Sequence, residues 1–170
     1  MVRDYNKLIF ESPEFNDGDD IPHDYTCEGS GVSPPFKIHG VPGNAESLVL
    51  IMEDLDSDEE GNTTHWIVWN IPPNVTVIEE NILPEGSIEG KNDLGAEFYA
   101  PPCPDLGVHN YRFVLYAIDK KVDLGPESTR TELEEEIEGH ILAESSIEVV
   151  FKRNDELEEE FDFDDLDDEY

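Results

Sequence analysis

Basic residues are scarce in this chain of 170 residues, which has 10 lysines and arginines against 43 aspartates and glutamates. The formal net charge is therefore −33 at pH 7. Nucleic acids and anionic membrane surfaces bind proteins through clustered positive charge, so this composition argues against both as partners.

Long apolar runs are also missing. The longest is LVLIM, from Leu48 to Met52, far shorter than the roughly 20 residues that a membrane-spanning helix needs. The opening MVRDYNKLIFESPEF mixes charges with apolar residues and has no apolar core of a secretory signal. We therefore expect a soluble cytoplasmic protein with no stable insertion into membranes.

Cysteine is rare as well, with Cys27 and Cys103 as the two examples. Neither belongs to a CxxC motif, so the pair forms neither a disulfide framework nor a zinc site. The two side chains can still meet in space and form a disulfide, although free thiols are the default in a reducing cytoplasm. No repeat of fixed period is present, which argues against a propeller or a solenoid.

The acidity extends over the whole chain. Residues 1–154 alone contain 32 acidic and 10 basic residues, and residues 155–170 add 11 acidic and no basic ones. Molar salt shortens the Debye length to about 3 Å and removes most of the self-repulsion. We therefore hypothesise a protein from a high-salt cytoplasm, with a domain over 1–154 and an acidic tail over 155–170. An acidic mesophilic protein with a solvating tail is the alternative.

The pattern of turns predicts a mainly β fold. Proline and glycine recur at short intervals up to about residue 107, and short β-like runs lie between them. The predicted strands are Pro35–His39, Ser47–Glu53, His65–Ile71, Tyr111–Asp119 and Ile147–Lys152. One helix near the C-terminus is predicted to start at Ser128 or Thr129 and to bury Leu133, Ile137 and Ile141, with Gly139 weakening its last turn.

The stretch EDLDSDEEGNTTHWIVWN has the start of a calcium loop but not its end. Asp54, Asp56 and Asp58 match the first ligand positions of an EF-hand. Glu59 stands where that loop needs glycine, and His65 stands where it needs a bidentate glutamate. We therefore exclude an EF-hand.

Another interpretation is a cavity built from several strand ends. Asp54 and Asp56 follow the buried LVLIM strand, and alternate residues of an extended chain point the same way. His65 begins the next strand, whose alternate residues from that position should share one face. His109 and Tyr111 stand at the entrance of a later strand, after the stiff loop APPCP. If these ends converge, the five side chains line one cavity.

The chain resembles the phosphatidylethanolamine-binding protein family, in its bacterial and archaeal branch called Raf kinase inhibitor-like. The resemblance runs from about Phe15 to Arg153 through IPHDYTCEGSGVSPPF, DLD, HWIVWNIP, GKND, PCPDLGVHNYRFVLYAID and EGHILAE. It implies a β-sandwich with a large central sheet, a smaller second sheet and few helices. It also implies a small pocket for phosphate or a phosphoryl head group, and the matching positions are Asp54, Asp56, His65, Pro102, His109 and Tyr111.

Three departures from the family pattern fall at this pocket, and one of them is Asp105, which follows Pro102-Cys103-Pro104 where the family has PCPP. Where the family has D-P-D-x-P, this chain has DLDSD, with an extra carboxylate at Asp58 and neither proline. Asn110 stands where the family has an arginine. Short-range hydrogen bonds must therefore supply the affinity for an anion.

Two functions remain open. The first is a non-catalytic binding or regulatory protein with a small anion pocket and no cofactor, whose regulated partner is a protein kinase or a protease. The alternative is an enzyme whose metal is held by His65, His109 and either Asp54 or Asp56, a set suited to iron or zinc. A serine hydrolase is disfavoured because there is no GxSxG motif.

Overall fold

A computed structural model of the chain describes residues 7–57 and 62–153. The predicted architecture is confirmed: a five-stranded antiparallel sheet has the order β6-β4-β3-β7-β8, and a three-stranded sheet has the order β1-β2-β5. The strands are β1 Ile9–Glu11, β2 Phe36–His39, β3 Ser47–Asp54, β4 Thr63–Ile71, β5 Val77–Ile78, β6 Ile88–Glu89, β7 Val108–Ile118 and β8 Ile141–Lys152, and the helix α1 is Arg130–Ile137. The predicted acidic tail and Asp58 lie outside the described residues.

Strand β3 occupies the centre of the large sheet and is buried along its whole length. Leu50 and Met52 face the small sheet, whereas Val49 and Ile51 belong to a second cluster that packs against α1. Full burial of such side chains contributes about 1.5–3 kcal/mol each. This is why the continuous apolar run forms the central strand, and why the residues that follow it are held in fixed positions.

Aromatic rings join the two sheets. Phe36 of the small sheet lies between Phe10, at a ring-centroid distance of 4.5 Å, and Phe113 of the large sheet, at 5.2 Å. All three rings are buried. Such pairs add about 0.5–1.5 kcal/mol beyond the burial of their area, so this contact fixes one sheet on the other.

The helix is shorter than predicted. Thr129 forms a capping box with Glu132, and the helix ends at Ile137. Gly139 then adopts a left-handed conformation at φ +80°, and Ile141 starts β8 instead of extending the helix. Within the described ranges no helix is long and apolar enough to cross a membrane.

Candidate functional site

Asp54 ends β3 and is the centre of a hydrogen-bond network. One of its oxygens accepts from the backbone N–H of Asp56 at 2.9 Å, and the other lies 2.8 Å from Nδ1 of His109. It also accepts from the hydroxyl of Tyr111, which lies directly opposite on β7. The carboxylate is therefore used within the protein, where it holds the imidazole of His109 in place.

His65 is the extra residue of a β-bulge. In the register of β3 with β4, Met52 pairs with Trp66 and Glu53 pairs with Thr64, which leaves His65 without a partner on β3. A bulge bends its strand and re-aims a side chain.

The bulge changes which residues share a face. Ile67 and Trp69 belong to the cluster on the α1 side of the sheet, whereas His65 lines a cavity together with Asp54 and Tyr111 on the other side. The prediction that alternate residues from His65 share one face is therefore wrong. A regular strand would have turned this imidazole away from the cavity.

His65 is fixed by two hydrogen bonds with one residue. Its Nδ1 lies 2.8 Å from the carbonyl oxygen of Ala100, and the N–H of Ala100 donates to its carbonyl at 3.1 Å. A carbonyl only accepts, so Nδ1 carries the proton and Nε2 of the neutral ring is an acceptor. Burial lowers the pKa of His65, and this outweighs the Ala100 bond and the charge of Asp54, which act in the opposite direction.

Tyr111 lies between the two histidines. Its ring meets His65 edge-on at a centroid distance of 5.4 Å and stacks with His109 at 6.3 Å. Burial and the neighbouring carboxylate of Asp54 raise the pKa of Tyr111. Its hydroxyl therefore remains a proton donor, and the three rings form one rigid unit around Asp54.

The small cavity beside this network has a volume of about 180 Å³. That is room for a small anion or several waters, since one water occupies about 30 Å³ in the liquid. The wall is formed by Asp54, His65, Leu94, Pro101, Cys103, Pro104 and Tyr111. It combines a polar side with an apolar side made mostly of prolines and a leucine.

Asp56 and His109 are in the network but are not among the wall residues. Asp56 follows the end of β3 in an exposed turn, so the prediction that it continues an extended chain beside Asp54 is wrong. Its carboxylate accepts from the backbone N–H of Asn110 at 2.7 Å and from the side chain of Asn110 at 2.9 Å. These two bonds lower the pKa of Asp56, which is therefore ionised at neutral pH.

Pro102 also differs from its predicted place. It is buried, and its carbonyl oxygen accepts from the N–H of Cys27 at 3.2 Å. Pro101 and Pro104 form the wall instead. Pro102 therefore faces the protein interior, whereas its neighbours Pro101 and Cys103 face the cavity.

The expectation of free thiols is wrong for this structure. Cys27 and Cys103 form a disulfide across a sequence separation of 76, with a Cα–Cα distance of 5.5 Å. The bond joins the loop after a 3-10 helix, His23–Tyr25, to the cavity wall. Closing a loop of this length in the unfolded chain contributes about 4.5 kcal/mol in the chain-entropy model.

The GKND motif has a positioning role that the sequence did not reveal. The buried side chain of Asn92 donates to the carbonyls of His65 at 3.2 Å and Phe98 at 2.9 Å. Its amide oxygen accepts from the N–H groups of Leu94 and Ala96, both at 3.0 Å. Asn92 therefore ties the loop that carries Leu94 to the strand that carries His65.

A second charged cluster lies on the opposite face of β3. Glu53 is buried and forms ion pairs with Arg112 and Arg130. Burial alone would raise the pKa of Glu53, but the two arginines outweigh it and lower the pKa. Each oxygen of this carboxylate faces an arginine within the fold, so we interpret the cluster as structural.

A larger cavity, of about 430 Å³, lies on the same outer face beside α1. Its wall includes Glu134, Glu135 and Glu138, with Arg130 already in contact with Glu134 at 2.5 Å. Three carboxylates there repel an anion. The smaller cavity has one carboxylate in its wall, that of Asp54, and is therefore the better candidate for an anion despite its size.

The predicted metal ligands do not form a metal-binding group. In residues 7–57 and 62–153 no cluster of three or more histidine, cysteine, aspartate or glutamate side chains is placed to hold a metal ion. Asp54 and His109 are bonded to each other through Nδ1, and His65 uses its Nδ1 for a carbonyl.

Comparison with known proteins gives a consistent result. The model of the family described as phosphatidylethanolamine-binding protein matches residues 11–152. A UPF0098 protein of Methanothermobacter thermautotrophicus is 45% identical over 144 residues, which cover 82% of this chain and 95% of the relative. One of Pyrococcus abyssi is 42% identical over 156 residues, covering 86% of each chain.

Two solved structures share the fold. A putative phosphatidylethanolamine-binding protein homolog of Chlamydia trachomatis superposes with a TM-score of 0.84 at 36% identity, covering 88% of this chain and 99% of that one. Escherichia coli YbcL, a member of the mammalian family, superposes with a TM-score of 0.82 at 25% identity, covering 87% and 99%. The chain therefore belongs to the phosphatidylethanolamine-binding protein family.

Proposed function

We propose that this chain is a non-catalytic binding or regulatory protein whose small cavity accepts an anion, either phosphate or a phosphoryl head group. The observation that carries the proposal is the joint placement of Asp54, His65 and Tyr111 in one wall, with a bulge that turns His65 inward. No side chain in this wall is an activated nucleophile, since Cys103 is tied in a disulfide.

The protonation of His65 defines the form of the anion. The neutral ring offers the lone pair of Nε2, because its proton is on Nδ1 beside Ala100. A phosphate that retains one proton satisfies this arrangement, since its P–OH group donates to Nε2. Only when the pH falls below the lowered pKa of His65 does the protonated ring donate from Nε2 and add a positive charge, so affinity for phosphate should rise in that acidic range.

The family name suggests phosphorylethanolamine as the second probe. Its ammonium group requires an anionic neighbour outside the phosphate pocket. Asp56 is ionised, exposed and bonded to Asn110 beside the network of Asp54. We therefore expect phosphorylethanolamine to bind more tightly than inorganic phosphate.

Calorimetric titration in molar potassium chloride tests the proposal, with both probes and with bound metal assayed on the same sample. His65→Ala should weaken binding by at least about tenfold, which corresponds to roughly 1.4 kcal/mol. His140→Ala is the control, because it also removes one imidazole but lies outside the cavity. Equal affinity in all three proteins would contradict the proposal, and no binding together with a retained metal would favour the metal-dependent enzyme.

The regulated partner belongs to the same proposal, as a protein kinase or a protease that docks over the cavity. Leu94 in the wall is 62% exposed, and Leu106 and Val108, which follow the wall loop, are 72% and 52% exposed. Exposed apolar side chains such as these are the kind that a docked partner would cover. The acidic segment 155–170 is proposed to be a separate solvating tail, so its removal should leave phosphate binding unchanged.

A high-salt cytoplasm is the proposed location, on the basis of the net charge of −33. Self-repulsion weakens as the Debye length shortens, and the midpoint of thermal unfolding should rise by at least about 5 °C from dilute to molar potassium chloride. Loss of cooperative unfolding in molar salt would contradict this.

Thiol trapping in intact cells tests the compartment, because disulfides are uncommon in most cytosolic proteins.

A further inference from the structure

The Cys27–Cys103 disulfide is accessible to solvent at both ends. Both cysteines are exposed, and Cys103 also lines the small cavity. A thiolate in solution attacks a disulfide along the S–S axis and needs access to one of the sulfurs. Exposure at both ends means that access alone does not decide which sulfur is attacked.

The two sulfurs differ in their charged neighbours. Arg153 follows β8, and its Nη1 lies 3.7 Å from Sγ of Cys103 and 3.1 Å from the carbonyl oxygen of Pro104. Among the described residues no cation makes a similar contact with Sγ of Cys27, and the next residue is the acidic Glu28. A nearby guanidinium stabilises a thiolate, and the thiol with the lower pKa is the better leaving group.

We propose that this disulfide is a redox-sensitive modification site, opened by a dithiol reductant that attacks Sγ of Cys27 and releases Cys103 as a thiolate beside Arg153. The attacking sulfur forms a bond to Cys27, and the electron pair of the S–S bond moves to Cys103. The second thiol of the reductant then displaces Cys27. The protein gains two electrons and one proton, with Cys27 as a thiol and Cys103 as a thiolate beside Arg153, while the second proton passes to the solvent and the reductant becomes a disulfide.

Opening the bond changes the cavity wall, and this consequence rests on the proposed function. The segment with Pro101 and Pro104 loses its covalent link to the loop of Cys27, and a thiolate appears in the wall. Both changes disfavour an anion, the first through lost preorganisation and the second through repulsion. Reduction should therefore weaken phosphate binding by at least about threefold.

Chemical mapping tests the site of attack without any ligand. The folded protein is treated with 2-mercaptoethanol, a neutral monothiol, for a time short enough to trap the mixed disulfide. The released thiol is alkylated with iodoacetamide, and the peptides are quantified by mass spectrometry. Adduct on Cys27 with alkylated Cys103 should exceed the reverse product by roughly threefold or more.

Arg153→Gln is the decisive variant, and it should bring the two products close to equal amounts. Lys152→Gln is the matched control: it removes one positive charge at the neighbouring exposed position and should preserve the preference. Wild type unfolded in urea provides a second measurement that does not depend on how the variant folds. It should also lose the preference, because the contact with Arg153 is then broken.

Equal products from the folded wild type, or a preference for adduct on Cys103, would overturn the inference. A preference that survives in Arg153→Gln would overturn the role of that arginine. Phosphate titration of oxidised and dithiothreitol-reduced protein separates this inference from the proposed function. If the oxidised protein does not bind phosphate, the anion pocket fails while the mapping stands; equal binding by both forms would overturn the effect on the wall.

Discussion

Two histidine–aspartate pairs stand at opposite ends of β7. At its start, Nδ1 of His109 lies 2.8 Å from Asp54, and just after its end, Nδ1 of His140 lies 2.7 Å from Asp119. The first pair has side-chain exposures of 17% and 7%, whereas the second has 43% and 42%. The atoms and distances are nearly the same, so the geometry of the pair alone does not distinguish a candidate site from a surface contact.

What differs is the number of groups that depend on each carboxylate. Asp54 accepts from His109, from the backbone of Asp56 and from Tyr111. Asp119 accepts from His140, and its own N–H donates to the carbonyl of the same residue. A buried acceptor with several donors positions its neighbours, while an exposed pair competes with water and salt.

The largest expected difference between the two pairs is in stability. Asp54→Ala leaves buried donors without an acceptor and should reduce the free energy of unfolding by about 2–4 kcal/mol. Asp119→Ala should reduce it by less than about 1 kcal/mol. Urea unfolding of both variants and wild type in molar potassium chloride measures this difference, and similar losses in the two variants would show that burial does not separate the pairs.

The positions of the strands that carry the site were largely predictable from the sequence. The side of the sheet that His65 faces was not. The run from Leu48 to Met52 predicts a strand buried on both faces, and the structure has it at the centre of the large sheet. The bulge at His65 depends on how β4 pairs with β3. Strand pairing joins segments that are distant in the sequence. The alternation of side chains along one strand therefore does not reveal the bulge.

The residues of the cavity wall were likewise only partly predictable from the sequence. The resemblance selected Asp54, His65 and Tyr111, which line the cavity, and Pro102, which is buried behind it. The prolines of the APPCP loop could not be told apart from sequence, because the direction of each ring is set by contacts such as that of the Pro102 carbonyl with Cys27. Spatial neighbours from other loops, such as Leu94, carry no local signal.

A smaller effect is expected from protonation on the cavity side. Burial lowers the pKa of His65 below the value of about 6.5 in the unfolded chain, so the unfolded state binds more protons between these two pKa values. The contribution of His65 to the free energy of unfolding is therefore complete above about pH 6.5. It is lost as the pH falls toward the pKa of His65 in the folded protein. The slope from this one group cannot exceed about 1.4 kcal/mol per pH unit.

His65→Asn tests this, because the amide can keep a donor toward Ala100 but does not titrate. Denaturant unfolding of wild type and variant should give parallel stabilities above pH 7.5 and diverge below about pH 6.5, with wild type losing stability faster. Other carboxylates that titrate in both proteins cancel in the difference. Parallel curves down to pH 5 would mean that His65 accepts a proton as readily in the folded as in the unfolded chain.

The smallest effect concerns salt and the exposed pair. In dilute buffer the loss from Asp119→Ala should be about 0.5 kcal/mol, and molar potassium chloride should reduce it toward zero because the Debye length falls to about 3 Å. The loss from Asp54→Ala should stay nearly constant, since its partners are shielded from the solvent and much of its effect is desolvated hydrogen bonding. Urea unfolding of both variants at the two salt concentrations measures this salt dependence. An equal salt dependence in both variants would mean that Asp54 acts as a surface charge does. The overall charge of −33 makes wild type itself salt-dependent, so the informative quantity is the difference from wild type at each salt concentration.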